Sequence, residues 1–495
     1  MELRRFFTPQ LLLYQVLIAD KKLHLMNKFL LLLFTNFCVL SLFAQFNTDY
    51  KPILLRGPIP KEIIENVKDK KELNIKSSND ELSEKQKQEF YTIFSYAIKN
   101  YFQSGYIYFN DTFTSYLSRV VNEITINNGI KGVKIYPSKV DDANALSWQD
   151  GSIFFNIRLL NWIDNEAQLA YILCHEISHY IKKHSMQEFQ FTRNNRDDVF
   201  NKGNEFDKVL STLSFSRTQE LDADKSGFEL FSKTKYNKLE ALHAMENIGK
   251  ISYDEYTEYL DIKNIFHIDS TTAEICKPDS GYIKNKEKQR ENIIKKNAED
   301  DGIERYSTHP KVEERIAKIQ EYLSDKDSSG SLYLISKNEF LYLKTAARFE
   351  NIQQLFNKMD YSTCLYRITQ LEKSYPDNKY LRVKAASCMY WLVWYKQVEA
   401  FRKSISSKEY DKTPLTEFEC TLSGLSQKEL KDFSLKYIQQ ELSKYPNEEE
   451  LQIIHAKLLQ LDEDDKATQV INNYIVSNPN GKYIYHAKKI KKNNK

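Results

Sequence analysis

The sequence has few of the residues that define fibrous, low-complexity or disulfide-bonded proteins. Its 495 residues include only 13 glycines, 11 prolines and 6 cysteines, which excludes a collagen-like chain, a low-complexity chain and a small disulfide scaffold. It also lacks an excess of charge of one sign, because 71 Lys and Arg stand against 68 Asp and Glu. A net charge of +3 gives no support to a nucleic-acid-binding protein, whose cations must neutralise phosphates.

Long hydrophobic runs are also scarce. After residue 45 no run approaches the roughly 18 apolar residues of a membrane-spanning helix, and the one long apolar segment near a terminus is Phe29–Ala44. That segment follows Met26 and Lys28, which is typical of a secretory signal peptide. We expect residues 1–44 to be an over-extended start and a signal peptide, with Met26 as initiator, cleavage after Ala44 and an exported, periplasmic mature chain. An uncleaved N-terminal anchor helix is the alternative.

Shifts in composition and periodicity predict the organisation of the chain. Residues 45–83 are polar and lysine-rich and form a predicted linker or arm. Residues 84–325 carry helical periodicity, interrupted by short segments of period two and by a predicted insertion at 263–306. The polar run SDKDSSGS at 324–331 marks the boundary to a second domain at 332–495. We expect a mainly α first domain with a small β-sheet, followed by an all-α domain.

The second domain contains a repeated turn motif. Prolines at 376, 446 and 479 lie in similar segments, so the gaps between them are 70 and 33 residues, and 70 is twice 35. A period near 34 with a closing proline is typical of tetratricopeptide (TPR) repeats, although the usual Trp-Leu-Gly pattern is missing. We therefore expect a TPR-like helical array that binds a protein. An ordinary helical bundle is the alternative.

The segment His175-Glu176-Ile177-Ser178-His179 matches the pattern H-E-x-x-H within a predicted helix. Residues four apart lie on one face of a helix, so the imidazoles of His175 and His179 can converge on one metal ion. Glu176 lies beside them as a candidate general base that activates a water molecule. The spacing therefore supplies two metal ligands and one base.

A catalytic zinc site needs a third protein ligand and keeps a fourth position open. Glu220 and Asp224 are also four apart, in a second long helix predicted over about 205–232, and can supply one ligand and one partner for a ligand histidine. Acidic residues on a helix are more often a solvated face, so this pair carries little weight alone. Five other histidines have no partner at ligand spacing and are expected to be structural or surface residues: His184, His243, His267, His455 and His486.

A predicted strand precedes the H-E-x-x-H helix. It consists of Ser152, Ile153, Phe154, Phe155 and Asn156 and follows the turn signal Asp150-Gly151. We expect this strand at the edge of the small sheet, beside the metal-binding helix. There an unfolded polypeptide would add as a further strand through backbone hydrogen bonds.

An ordered series of motifs over residues 85–325 resembles the HtpX-like, CAAX-prenyl-protease family of gluzincin zinc peptidases. The motifs are, in order, Asn144-Ala145-Leu146, Asp150-Gly151-Ser152-Ile153, Leu159-Leu160, Asn165-Glu166, HEISH, SRTQELDAD, Ser307-Thr308-His309-Pro310 and Glu314-Arg315-Ile316. This resemblance implies an α+β zincin-type domain. It also implies one zinc ion per chain, held by His175, His179 and Glu220, with Glu176 as general base and Asp224 as the partner of a ligand.

Within that family, the chain is most similar to the periplasmic, BepA-like branch, because it combines a signal peptide, no later membrane span and a repeat domain. This similarity implies that His309 lies close to the metal; a polar cap before Pro310 is the alternative for this residue. Asp222 stands where the family commonly has glutamate, at a position that is not a ligand.

Together these predictions describe an exported zinc-dependent endopeptidase that hydrolyses unfolded or misassembled envelope proteins. Its expected partners are polypeptide substrates and, through the TPR-like domain, envelope or outer-membrane assembly proteins, with no nucleic acid. One alternative is a proteolytically silent chaperone or scaffold that acts through the repeats, with His309 filling the open metal position. The other is a purely structural zinc site.

Overall fold

The computed structural model describes residues 46–53, 59, 82–109, 111–197, 205–251, 311–323, 329–404, 414–461 and 465–493. This part of the chain is mainly helical with one small sheet, which confirms the predicted composition of the fold. None of the helices in these ranges combines the length and apolarity needed to cross a bilayer. The predicted signal peptide, the insertion at 263–306 and His309 lie outside the described residues.

The helices and strands have the following bounds. The part before residue 325 contains α1 (Glu84–Gln103), α2 (Thr112–Asn128), β1 (Lys134–Ser138), β2 (Ala145–Ser147), β3 (Ser152–Asn156), a 3₁₀ turn (Ile157–Trp162), α3 (Glu166–Lys182), α4 (His184–Asp197), α5 (Glu205–Ser232), α6 (Glu240–Lys250) and α7 (Val312–Tyr322). The part after it contains α8 (Lys337–Asn357), α9 (Tyr361–Glu372), α10 (Lys379–Gln397), a 3₁₀ turn (Phe401–Ser404), α11 (Pro414–Gly424), α12 (Gln427–Lys444), α13 (Glu449–Gln460), α14 (Asp465–Ser477) and α15 (Ile484–Asn493).

The sheet has the strand order β1-β3-β2. Strand β3 has the predicted bounds, pairs in parallel with β1 and antiparallel with β2, and all five of its residues are buried. The predicted edge position of Ser152–Asn156 is therefore wrong, because both sides of this strand are already occupied. The edge beside α3 belongs to β2, a strand of three residues that is too short to show a period-two pattern.

Helix α3 carries the H-E-x-x-H segment through the core. Asn165 caps its first turn by accepting a hydrogen bond from the backbone N–H of Gln168, and thirteen consecutive residues from Glu166 to Ser178 are buried. The helix ends at Lys183, whose φ of 59° lies in the left-handed region. The chain turns sharply there and continues directly into α4 at His184.

Helix α5 has the bounds that its periodicity predicts, and it packs against α3 at very short range. A Cβ atom on Gly227 would lie 2.9 Å from the Cα of His175, so only glycine permits this approach. Glu220 and Asp224 lie seven and three residues before Gly227, on the same face of α5. The close crossing therefore aims both carboxylates at the histidines of α3.

The helices after residue 332 are joined directly to the first domain. The buried carboxylate of Glu166 accepts hydrogen bonds from the backbone N–H groups of Leu334 and Ile335, both at 2.7 Å. It also accepts one from the hydroxyl of Tyr236 at 2.7 Å. Burial alone would raise the pKa of Glu166, but hydrogen bonds, among them those from Ile335 and Tyr236, lower it. The first residue of α3 thus fixes the entry to α8.

Candidate metal centre

Three side chains from α3 and α5 meet at one point. The Nε2 atoms of His175 and His179 are 3.1 Å apart. Oε2 of Glu220 lies 3.6 Å from Nε2 of His175, and Oε1 of Glu220 lies 3.4 Å from Nε2 of His179. One ligand atom from each residue falls within 4.8 Å of the others. The structure thus brings together His175, His179 and Glu220, the three residues predicted from the sequence as ligands.

The spacing of these atoms fits a zinc ion. A tetrahedral zinc site with bonds of about 2.0–2.1 Å places neighbouring ligand atoms about 3.4 Å apart. The two Nε2 atoms are 3.1 Å apart, close to that value, and each of them lies at a similar distance, 3.6 or 3.4 Å, from a different carboxylate oxygen of Glu220. Two imidazole nitrogens and one carboxylate are also a donor set that zinc accepts, with a fourth position left for water or substrate.

Glu176 lies beside this cluster in a buried environment. Burial raises the pKa of Glu176 to about 7, with His175 lowering it and Glu220 raising it further. A hydrogen bond with the side chain of Ser147, on the edge strand β2, also lowers it. A carboxyl group with a pKa near neutrality is suited to accept and return a proton.

His175 has a charged partner on the side away from the cluster. Oδ1 of Asp224 lies 2.9 Å from its Nδ1, and Asp224 is fully buried. Arg315 of α7 donates two hydrogen bonds to Asp224, both of 2.7 Å, and its Nη2 lies 3.7 Å from Glu220. Burial alone would raise the pKa of Asp224, but the hydrogen bonds from Arg315 and His175 lower it. The motif Glu314-Arg315-Ile316 contains this arginine, but the sequence does not predict that it contacts Asp224.

His179 also has a partner on its outer side, which spacing along the sequence does not indicate. Nδ1 of His184 lies 2.8 Å from Nδ1 of His179, and Nε2 of His184 lies 3.2 Å from Oδ2 of Asp222. Of the two roles expected for His184, structural or surface, its burial fits the structural one, and it also contacts a candidate ligand. A contact at spacing five depends on the turn at Lys183, which a helical pattern cannot reveal.

Strand β3 contributes no side chain to the cluster. Phe154 packs in an aromatic group with Phe102 and Tyr136, while Ile153 and Phe155 belong to the main core. The nearest strand is β2, where Ser147 contacts Glu176 and Leu146 is 40% exposed. Within the described residues, β2 pairs with β3 alone, so its outer edge faces no other strand.

The comparisons with known proteins agree with this geometry. Residues 112–323 match the model described as peptidase family M48. This range contains the ligands, the candidate base and both outer partners, and the match supports a zinc metallopeptidase family. Peptidases of this family are metal-dependent and usually use zinc. No curated protein matches the chain.

Proposed function

We propose that this protein is a zinc-dependent endopeptidase whose M48 domain hydrolyses peptide bonds at the centre formed by His175, His179 and Glu220. The observation that carries the proposal is the convergence of His175, His179 and Glu220, with one ligand atom of each within 4.8 Å of the others and the carboxyl group of Glu176 beside them. A purely structural site would have no use for a buried carboxyl group beside the ligands.

The residues of the centre divide the chemistry among them. Bound zinc supplies Lewis acidity, which lowers the pKa of a water molecule and polarises the carbonyl of the scissile bond. Glu176 takes the proton of the attacking water and later delivers it to the leaving amine. Arg315 and Asp224 hold Glu220 and His175 in place, so that the ligand set is preorganised before substrate enters.

Substrate would lie along β2. A polypeptide in extended conformation can add to the outer edge of Ala145–Ser147 through backbone hydrogen bonds, which require no particular sequence. The hydrogen bond between Ser147 and Glu176 links this edge to the base. Such binding favours chains with exposed backbone, so we propose unfolded or misassembled envelope proteins as substrates.

The location and the role of the C-terminal helices complete the proposal. We propose export by the signal peptide with cleavage after Ala44, as in the BepA-like branch, and a TPR-like array over 332–495 that binds envelope or outer-membrane assembly proteins. The array is supported by the position of the three prolines at 376, 446 and 479. Each follows the end of one helix and precedes the next, after α9, α12 and α14.

The decisive experiment combines metal content with cleavage of an unfolded envelope protein. Purified wild-type protein and Glu176→Gln should each hold one zinc ion per chain, whereas Glu220→Ala should hold little. Cleavage should fall by about 10²–10⁴-fold in Glu176→Gln, the usual contribution of a general base. Glu246→Gln, which alters an exposed glutamate of α6, is the matched control and should cleave like wild type.

Three results would contradict the proposal. Cleavage by Glu176→Gln at the wild-type rate would show that the proteolysis does not use this base, and absence of cleavage by the wild-type protein would favour a silent scaffold. Full zinc retention by Glu220→Ala would remove Glu220 from the ligand set.

A further inference from the structure

We propose that His184 is a positioning residue for the metal centre, which holds the imidazole of His179 in its metal-binding tautomer and is itself held by Asp222. This inference rests on the proposed zinc site and extends it to two side chains that have no place in the ligand set. It is carried by a continuous line of contacts, from the cluster through His179 and His184 to Asp222.

The direction of the hydrogen bonds follows from the position of the ligand atoms. Nε2 of His179 faces the Nε2 of His175 and the carboxylate of Glu220, so it must present a lone pair when metal is bound. The ring proton of His179 therefore sits on Nδ1, 2.8 Å from Nδ1 of His184, which accepts it. His184 then carries its own proton on Nε2 and donates it to Asp222 at 3.2 Å.

The backbone around His184 leaves its ring little freedom. The left-handed turn at Lys183 ends α3 and places His184, the first residue of α4, against His179 of α3. The backbone carbonyl of His184 accepts a hydrogen bond of 3.0 Å from the side chain of Gln219 on α5. The rings of His179 and His184 meet edge to face, with centroids 4.8 Å apart, and His184 is 4% exposed. A ring fixed in this way can fix its neighbour.

The two ligand histidines are held by different devices. His175 contacts the carboxylate of Asp224 directly, whereas a neutral ring separates His179 from the carboxylate of Asp222. Carboxyl groups of Glu176, Glu220 and Asp224 already surround the cluster, and another one against His179 would add like charge at close range. The interposed ring supplies orientation while Asp222 stays at the surface, paired with Lys182 at 3.1 Å.

The test is the zinc affinity of the full mature chain, measured by chelator competition. In His184→Ala the dissociation constant should rise by about 10–100-fold, the usual cost of losing an outer-sphere partner. His184→Gln should recover most of the affinity, because a glutamine carbonyl accepts from Nδ1 of His179 and its amide donates to Asp222. The visible spectrum of the cobalt-substituted protein should shift in His184→Ala and return toward wild type in His184→Gln.

The controls separate this role from general stability and from the proposed function. His243→Ala removes a half-exposed histidine of α6 and should leave zinc affinity unchanged. If His184→Ala does not fold, Asp222→Ala decides, since its side chain is 40% exposed and its loss should lower the affinity several-fold. Wild-type affinity in a folded His184→Ala, or in Asp222→Ala when His184→Ala does not fold, would overturn the inference. Absence of zinc from the wild-type protein would instead refute the proposed metal site.

Discussion

At the residue scale, the centre depends on compensation of buried charge. Asp224 is fully buried and would be costly as an isolated carboxylate. Arg315 provides two parallel hydrogen bonds in the bidentate geometry that a guanidinium group offers and an ammonium group does not. The same arginine approaches Glu220, so one cation serves a candidate ligand and the partner of another.

We expect Arg315→Ala to lower the free energy of unfolding by about 3–5 kcal/mol, because it leaves Asp224 buried without its cation. Arg315→Lys should recover only part of this loss. Urea denaturation followed by circular dichroism measures both. Lys318→Ala is the control from the same helix, because Lys318 is exposed and pairs with the exposed Glu321, so its removal should have little effect on stability. Equal stability of Arg315→Ala and wild type would show that Asp224 is not ionised in the fold.

These residues also show what a sequence can reveal about a site. His175 and His179 are predictable because helix geometry converts a spacing of four into a shared face. Arg315 and Asp224 are 91 positions apart, and their contact depends on how α7 packs on α5. The position of His184 depends on a single residue in the left-handed region, Lys183. Glycine and asparagine are the residues that usually adopt this conformation, so a lysine does not predict the turn.

At the element scale, the site is built by the crossing of α3 and α5. The closest approach lies at Gly227, next to the backbone of His175, and not at the ligands themselves. The third ligand therefore reaches the histidines because a glycine lies two turns beyond it on the same face. A sequence motif that consists of Glu220 and Asp224 alone does not include the glycine at position 227 that this close approach requires.

We expect Gly227→Ala to force α5 away from α3 and to weaken zinc binding, although no ligand is altered. The added Cβ would lie within 2.9 Å of a backbone atom, which cannot move aside as a flexible side chain can. Isothermal titration with zinc measures the effect. Gly424→Ala is the control, since a Cβ on that helical glycine meets nothing within 4 Å. Undiminished affinity in Gly227→Ala would mean that the two helices tolerate a wider separation.

In the sheet, the sequence predicts the bounds of a strand but not its neighbours. The bounds of β3 follow from its turn signal and its β-propensity, but its place in the sheet does not. All five residues of β3 are buried because other parts of the chain cover both faces of the strand. The strand is central because β2, which has only three residues, pairs with its second side. Three residues carry too little pattern to identify such a strand.

At the scale of the whole molecule, distant segments share one core. Phe46 is fully buried among aromatic rings of α8 and the α9–α10 turn, including Phe349 and Tyr375. Its backbone carbonyl accepts a hydrogen bond of 2.8 Å from the side chain of Asn378. Tyr50 donates a hydrogen bond of 2.6 Å to Glu350 of α8. Residues 46–53, at the start of the predicted arm, therefore pack against the C-terminal helices.

The C-terminal helices contain a charge cluster that makes the stability of the molecule depend on pH. Burial raises the pKa of Glu372 to about 7; Arg382 lowers it and Glu441 raises it. An unfolded glutamate titrates near 4.5, so the folded chain binds a proton more tightly than the unfolded chain between pH 4.5 and 7. The contribution of Glu372 to the free energy of unfolding therefore falls as pH rises through this range and becomes constant above it.

We expect Glu372 to lower the free energy of unfolding by about 3 kcal/mol between pH 4.5 and pH 7.5, from about 1.4 kcal/mol for each pH unit between its two pKa values. Glu372→Gln abolishes this titration, so its stability relative to wild type should increase by that amount over the same range. Urea denaturation at half-unit intervals of pH measures the difference. Glu417→Gln, at an exposed glutamate of α11, should run parallel to wild type. If Glu372→Gln also runs parallel to wild type, Glu372 is ionised at neutral pH and its ion pair with Arg382, at 3.4 Å, outweighs burial.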